Sequence, residues 1–82
     1  MRIVWDEPKR LANIEKHGLD FANLSLEFFD TALVGAARGG RRKAIGRLAD
    51  GTIVVIFVQL GSERLSVISM RTARRDERGL IE

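Results

Sequence analysis

The sequence contains no cysteine and no tyrosine, and it has one proline, one tryptophan and one histidine among 82 residues. Without cysteine, the chain can form neither a disulfide framework nor a thiolate metal site, which fits a reducing compartment. The longest apolar stretch, residues 53–58, has the length of a strand and is too short to span a membrane. The N-terminal residues lack the apolar region of a signal peptide. We therefore expect a soluble cytoplasmic protein.

Several signatures of binding and catalysis are also missing. Aromatic residues make up only 6% of the chain and do not alternate with basic residues along one strand, unlike RNA-binding modules that stack bases. A single histidine and scattered carboxylates give no metal-ligand spacing. Neither a phosphate-binding glycine loop nor a serine-nucleophile motif is present. We predict no metal site and no cofactor.

Positive charge is concentrated in the second half of the chain, whose total net charge is +3. Residues 1–37 carry four Lys or Arg against six Asp or Glu, whereas residues 38–82 carry ten against five, and nine of those ten are arginine. Arginine binds phosphate through two N–H groups and stays charged, so this bias favours a polyanionic or carboxylate-rich partner. The alternative is a solvated basic surface without a partner.

Apolar periodicity and turn signals predict one α+β domain over residues 1–82. Predicted strands cover residues 3–5, 32–36, 43–48, 52–58 and 64–70, and predicted helices cover residues 7–17, 21–29 and 71–81. We expect Asp50-Gly51 to form a hairpin turn, and the apolar run that follows to form a central strand covered on both faces. The order β-α-α-β-β-β-β-α predicts a mainly antiparallel sheet with helices packed on it.

The first predicted helix has clear boundaries and a cationic stripe. Asp6 suits the N-cap position, and Gly18 can adopt the positive φ that ends a helix. Leu11 and Ile14 form an apolar face, so we expect the opposite stripe to face solvent. That stripe consists of Lys9, Asn13 and Lys16, with His17 beside it.

Metal-free RNA cleavage fits this composition. The reaction needs a base for the 2′-hydroxyl, an acid for the leaving oxygen and fixed cations at the phosphate. His17 is the one side chain in the sequence whose ordinary pKa, about 6.5, lies near neutrality. The candidate cations are Lys16, Arg41, Arg64 and Arg71. A histidine at a helix C-terminus also interacts with the helix dipole, so a purely structural role for His17 stays open.

The arginines of the second half allow more than one arrangement. Arg64 and Arg71 differ in strand parity, so an undistorted strand would point them to opposite faces. A site that includes both requires a bulge, or a strand that ends before Arg71. Four positions have the spacing of one helical face, namely Arg71, Arg74, Arg75 and Arg78. This spacing also suits a salt-bridged surface helix.

In combination, these motifs resemble the BrnT toxin family of bacterial type II toxin–antitoxin systems over nearly the whole chain. The resemblance rests on Lys16-His17-Gly18 followed by Phe21, and on a C-terminal pattern of Ile68-Ser69, Arg71, Ala73 and Glu77. Further matching positions are Trp5-Asp6, Lys9, Asn13, Arg41 and Arg64. The chain departs from the family pattern at Leu60 and Ile81, where an arginine and a tyrosine are expected.

The resemblance implies a RelE-like fold and a metal-independent endoribonuclease that inhibits translation. It implies a BrnA-like antitoxin that neutralises the toxin, with RNA as the substrate. Operator DNA would be reached only through the antitoxin, in a complex that contains a toxin homodimer. A non-catalytic basic module is the alternative, which would dock an acidic antitoxin or nucleic acid without cleaving it.

The resemblance also implies a set of site residues. His17 corresponds to the acid or base, and Glu77 to a base or an orienting carboxylate. The catalytic cations implied are Lys16, Arg41, Arg64 and Arg71. The predicted RNA-binding residues are Lys9, Asn13, Arg42, Arg74 and Arg75.

Overall fold

A five-stranded sheet organises the chain in the computed structural model, which describes residues 1–49 and 51–82. The strands are β1 (Arg2–Trp5), β2 (Leu33–Ala36), β3 (Arg42–Leu48), β4 (Gly51–Leu60) and β5 (Arg64–Thr72). The α-helices are α1 (Glu7–His17), α2 (Leu26–Thr31) and α3 (Arg75–Arg78). The strand order is β1-β5-β4-β3-β2, in which β1 runs parallel to β5 and the other pairs are antiparallel. This architecture confirms the predicted α+β class.

The predicted hairpin joins β3 to β4, whose pairing continues to Leu48 opposite Gly51. Asp50, the other residue of the predicted turn, lies outside the described residues. None of the helices in the described part of the chain is long and apolar enough to cross a membrane.

The second predicted helix is divided into two short helical segments. Asp20 caps only a 3₁₀ turn, Phe21–Asn23, by accepting a hydrogen bond from the backbone N–H of Ala22. Leu24 is then extended, with φ −77° and ψ 145°, and its side chain is buried in the core. The chain becomes helical again after Ser25, the N-cap of α2. The prediction of one helix over residues 21–29 is therefore wrong, because burial of Leu24 interrupts it.

The predicted C-terminal helix is shorter than expected, because β5 continues through Arg71 to Thr72. Strand β5 pairs with β4 as far as Thr72 opposite Ile53, which keeps this segment extended. Only Arg75–Arg78 forms α3. The four arginines spaced for one helical face consequently do not share a helix.

The two faces of the sheet carry different layers. On the first face, a helix-covered core consists of Phe21, Leu24, Phe28, Ala44, Ile53, Val55, Phe57, Leu65, Val67 and Met70. On the second face, a smaller cluster consists of Ile45, Val54 and Ala73, with Ile56 and Ile81 partly buried against it. Strand β4 contributes to both clusters, as predicted for a central strand.

A β-bulge in β5 sets which side chains reach the second face. The pairing register between β4 and β5 shifts once, so that Ile68 is an extra residue in β5. Because of this extra residue, Val67 and Met70 both belong to the first-face core although they are three positions apart. Arg64 and Arg71 therefore share the second face, which an undistorted strand would not permit.

Helix α1 packs against β5 with Asn13 buried between them, whereas Lys9 and Lys16 of the same stripe stay exposed. Asn13 is only 6% exposed, whereas Leu11 is 55% exposed, so the predicted orientation of this helix is wrong. Strand β1 pairs with β5 only as far as Val67. Beyond that point, the backbone N–H of Met70 donates to Oδ1 of Asn13 at 3.1 Å, while Nδ2 of Asn13 donates to the Leu19 carbonyl at 2.9 Å. The unpaired strand edge thus selects the amide-bearing side of α1, since a buried N–H needs an acceptor.

Gly46 lies where β3 closely approaches α2. A Cβ at this position would stand 2.8 Å from Cε2 of Phe28 and 3.2 Å from Cβ of Ala32. We expect Gly46→Ala to lower the free energy of unfolding by ~1–3 kcal/mol, because overpacking forces neighbouring side chains to move. Urea denaturation measures the effect. Gly35→Ala is the matched control, since its added Cβ meets no atom within 4 Å; an equal loss in both variants would contradict the prediction.

Candidate active site

A groove between α1 and β5 brings together residues from three parts of the chain. We call it the α1 groove, and its volume is about 330 Å³. Its lining residues are Lys9, Ala12, Asn13, Lys16, His17, Arg41, Ile68 and Ser69. The groove therefore gathers three of the predicted catalytic residues, namely His17, Lys16 and Arg41.

His17 is the last residue of α1 and is exposed at the margin of the groove. Gly18 ends the helix with a φ of +71°, and its N–H donates to the Ile14 carbonyl at 2.8 Å. Lys16 and His17 therefore occupy the last turn, where the helix dipole favours positive charge. An exposed imidazole in this position can exchange protons both with a ligand in the groove and with water.

Arg41 follows a short 3₁₀ turn, Arg38–Gly40, between β2 and β3. The backbone N–H of Ala37 donates to the Arg41 carbonyl at 2.8 Å, and the N–H of Arg41 donates to the Arg38 carbonyl at 3.2 Å. Gly39 and Gly40 have φ values of +68° and +74°, which glycine adopts without strain. These contacts close the loop tightly and fix the backbone from which Arg41 reaches the groove.

A second, more basic groove adjoins the first at Arg41. We call it the α3 groove, and its volume is about 620 Å³. Its lining residues are Ala37, Arg38, Arg41, Lys43, Ile56, Arg71 and Arg74. Arg71 and His17 thus line different grooves. Arg41 lines both grooves and connects them.

Glu77 is buried beneath the α3 groove at the centre of an ionic cluster, with 2% of its side chain exposed. Its carboxylate accepts two hydrogen bonds from Arg71, at 2.7 and 2.8 Å, and one from the Arg74 backbone N–H at 2.8 Å. The Lys43 ammonium lies 2.6 Å from the same carboxylate. The Arg71 hydrogen bonds, more than any other contact, hold the pKa of Glu77 well below its usual range, against the opposing effect of burial.

This environment favours one of the two roles considered for Glu77. A general base works best with a pKa near the operating pH and a free path to the proton it accepts. Glu77 instead stays ionised and is occupied by its cationic neighbours, and in return it raises the pKa of Arg71. The geometry suits a carboxylate that orients Arg71 and Lys43 at the groove margin.

Other predicted site residues lie outside both grooves. Arg64 lines a separate hollow at the β4–β5 turn. It shares a sheet face with Arg71 but is roughly 20 Å from it along the strand. Arg42 lines a hollow with Phe29 and Phe57 on the helix-covered side, and Arg75 lines neither groove. The structure therefore does not bring Arg64, Arg42 or Arg75 to His17.

Three polar groove residues were absent from the sequence-based site, namely Ser69, Arg38 and Lys43. Ser69 reaches the α1 groove because the bulge at Ile68 changes which face it occupies. Arg38 lines the α3 groove, and the Arg38-Gly39-Gly40-Arg41 turn was the signal for it, since both ends of a tight basic loop lie close together. Ile81, which stands where the resemblance leads us to expect a tyrosine, packs against the second-face cluster.

Comparisons with known proteins agree with these observations. A sequence model of the family described as "Ribonuclease toxin, BrnT, of type II toxin-antitoxin system" matches residues 5–77, a range that contains every lining residue of both grooves. The fold is similar to the crystal structure of the Brucella abortus ribonuclease toxin, BrnT, with a TM-score of 0.87 and 55% sequence identity. That alignment covers 92% of this chain and 99% of the other. Comparison with curated proteins found no match.

We expect the stabilisation provided by Glu77 to depend on pH. Its pKa is lowered in the folded protein, so its contribution is complete above the unfolded pKa of about 4.3 and is lost as the pH falls further towards the folded pKa. Urea denaturation of wild type and Glu77→Gln should give a stability difference that is constant above about pH 5.5 and shrinks in more acidic buffers. Glu15→Gln, at an exposed helix position, is the control and should show no such change. A difference that persisted unchanged to about pH 3 would contradict this account.

Proposed function

The chain belongs to the BrnT family of ribonuclease toxins of type II toxin–antitoxin systems, and we propose that it cleaves RNA in the α1 groove without a metal ion. The observation that carries this proposal is the shared groove of His17, Lys16 and Arg41. It combines a titratable imidazole with two cations from separate elements. They provide a catalyst for one proton transfer and charge stabilisation at the phosphate, both of which metal-free cleavage of a phosphodiester uses.

In the proposed reaction, the 2′-hydroxyl oxygen attacks the adjacent phosphorus and the 5′-oxygen leaves. The products are a 2′,3′-cyclic phosphate and a 5′-hydroxyl end. One proton leaves the attacking oxygen and one joins the leaving oxygen; His17 transfers one of these two protons, and solvent water transfers the other. Neutral imidazole would serve as the base, or imidazolium as the acid.

Lys16 and Arg41 bind the scissile phosphate and stabilise the charge that develops on its oxygens. Among the described residues, neither side chain has a carboxylate partner within 4.0 Å. Their charges are therefore available to an anionic ligand. Arginine offers a planar pair of donors to two phosphate oxygens, whereas lysine supplies a compact charge.

Membership of a type II toxin–antitoxin family implies an antitoxin partner. We propose that this partner is BrnA-like and that its acidic residues cover the arginine-rich second half of the chain, where ten of the 14 basic residues lie. The free toxin would inhibit translation by cleaving RNA in the cytoplasm. The bound toxin would contact operator DNA only through the antitoxin.

The cleavage proposal is tested with purified protein, labelled RNA and excess chelator. We expect wild type to cleave and His17→Ala to be slower by about 10²–10⁴-fold, because one proton transfer loses its catalyst. Arg41→Ala should also lose most activity, since it removes charge stabilisation at the phosphate. Arg47→Ala removes an exposed arginine that lines neither groove, and it is the matched control.

Two outcomes would count against this assignment. If folded wild type, verified by circular dichroism, left RNA intact, the enzymatic function would fail and the non-catalytic alternative would stand. If Arg64→Ala lost as much activity as Arg41→Ala, the α1 groove would not by itself contain the site. Both results are read from the same gel-based time course.

A further inference from the structure

The α3 groove is lined by four arginines and one lysine, more cationic groups than cleavage of one phosphodiester needs. We propose that this groove is a second phosphate subsite, which binds a neighbouring phosphodiester of the same single-stranded RNA. The inference rests on the proposed function, because the scissile phosphate is assigned to the α1 groove. It gives Arg38, Arg71 and Arg74 a role in holding substrate.

Two features of the structure join the grooves into one path. Arg41 lines both of them. In addition, Lys43 pairs with Ile56 across β3 and β4, and Ile56 pairs with Ser69 across β4 and β5. Lys43 and Ile56 line the α3 groove, whereas Ser69 lines the α1 groove. Since neighbouring strands lie about 4.8 Å apart, this row of three residues spans about 10 Å from one groove to the other.

The charges of the α3 groove leave a net attraction for anions. Glu77 neutralises part of the charge of Arg71 and Lys43, which nevertheless keep 29% and 30% of their side chains exposed. Arg74 has only distant partners, with Asp76 at 3.5 Å. In the described part of the chain, no carboxylate lies within 4.0 Å of Arg38. Five cations therefore face two carboxylates, and partial burial strengthens their field.

Glu77 also organises the subsite in advance. Its two hydrogen bonds hold the Arg71 guanidinium in one plane at the groove margin, and Lys43 is held by the same carboxylate. A phosphate that enters the groove meets cations whose conformations are already fixed. Less conformational entropy is then lost on binding than with freely mobile arginines.

Binding of uncleavable RNA tests the subsite directly. The probes are a fluorescent 2′-O-methyl dinucleotide with one phosphodiester and a tetranucleotide with three, neither of which has a 2′-hydroxyl nucleophile. We expect wild type to bind the tetranucleotide at least about tenfold more tightly, because only the longer strand reaches both grooves. Fluorescence anisotropy over a salt series measures the affinities and their salt dependence.

The variants Arg38→Ala and Arg74→Ala should lose most of the extra affinity for the tetranucleotide over the dinucleotide. The slope of log affinity against log salt should fall by about 0.7 for each phosphate that the variant no longer neutralises. Affinity for the dinucleotide should stay unchanged. Arg47→Ala removes the same charge at a position outside both grooves and should keep the full gain.

Several results would overturn the subsite. One is that Arg38→Ala and Arg74→Ala still bind the tetranucleotide as much more tightly than the dinucleotide as wild type does. Another is that these variants lose affinity equally for both probes. Equal wild-type affinity for both lengths, together with an Arg38-dependent affinity for a polyglutamate peptide, would instead indicate an acidic protein as the occupant. Wild-type cleavage of an unmodified tetranucleotide is assayed in parallel. Cleavage without the length-dependent gain rejects the subsite alone, whereas absence of cleavage counts against the proposed function.

Discussion

The hydrogen bond from the Met70 backbone to the Asn13 side chain determines how the rest of the site is assembled. Strand β1 pairs with β5 only as far as Val67, so the buried amide beyond that point needs another acceptor. Asn13 supplies it from the middle of α1, and its own amide group is bonded to the Leu19 carbonyl. One buried side chain thereby ties the helix to the strand edge. The helix end that carries His17 is fixed as a result.

A second buried polar residue organises the opposite end of the cationic surface. Glu77 binds Arg71, Lys43 and the Arg74 backbone, and this links α3 to two strands of the sheet. Removing Glu77 would leave like charges close together, and removing Arg71 would leave a buried carboxylate with fewer partners, so the members of this cluster depend on one another. Asn13 and Glu77 therefore act as supports, while the exposed cations above them remain available to a ligand.

Local signals in the sequence were sufficient to predict α1, because its two ends are marked by Asp6 and Gly18, the residues directly before and after the helix. Its orientation depends on which strand edge lacks a partner, and a sequence pattern contains no such information. The position of Arg71 was mistaken for a helix start because long-range pairing with β4 overrides helical spacing there. The bulge at Ile68 was likewise recognisable only as a requirement for Arg64 and Arg71 to share a face.

The central claim is that Asn13 serves cleavage indirectly, by holding α1 so that His17 shares a groove with Arg41. A double-mutant cycle on kcat for RNA cleavage tests it most directly, using Asn13→Ala, His17→Ala and the double variant, with folding of each verified by circular dichroism. We predict that Asn13→Ala slows wild type but has little further effect when His17 is already absent. Independent, multiplicative losses would contradict this role of Asn13.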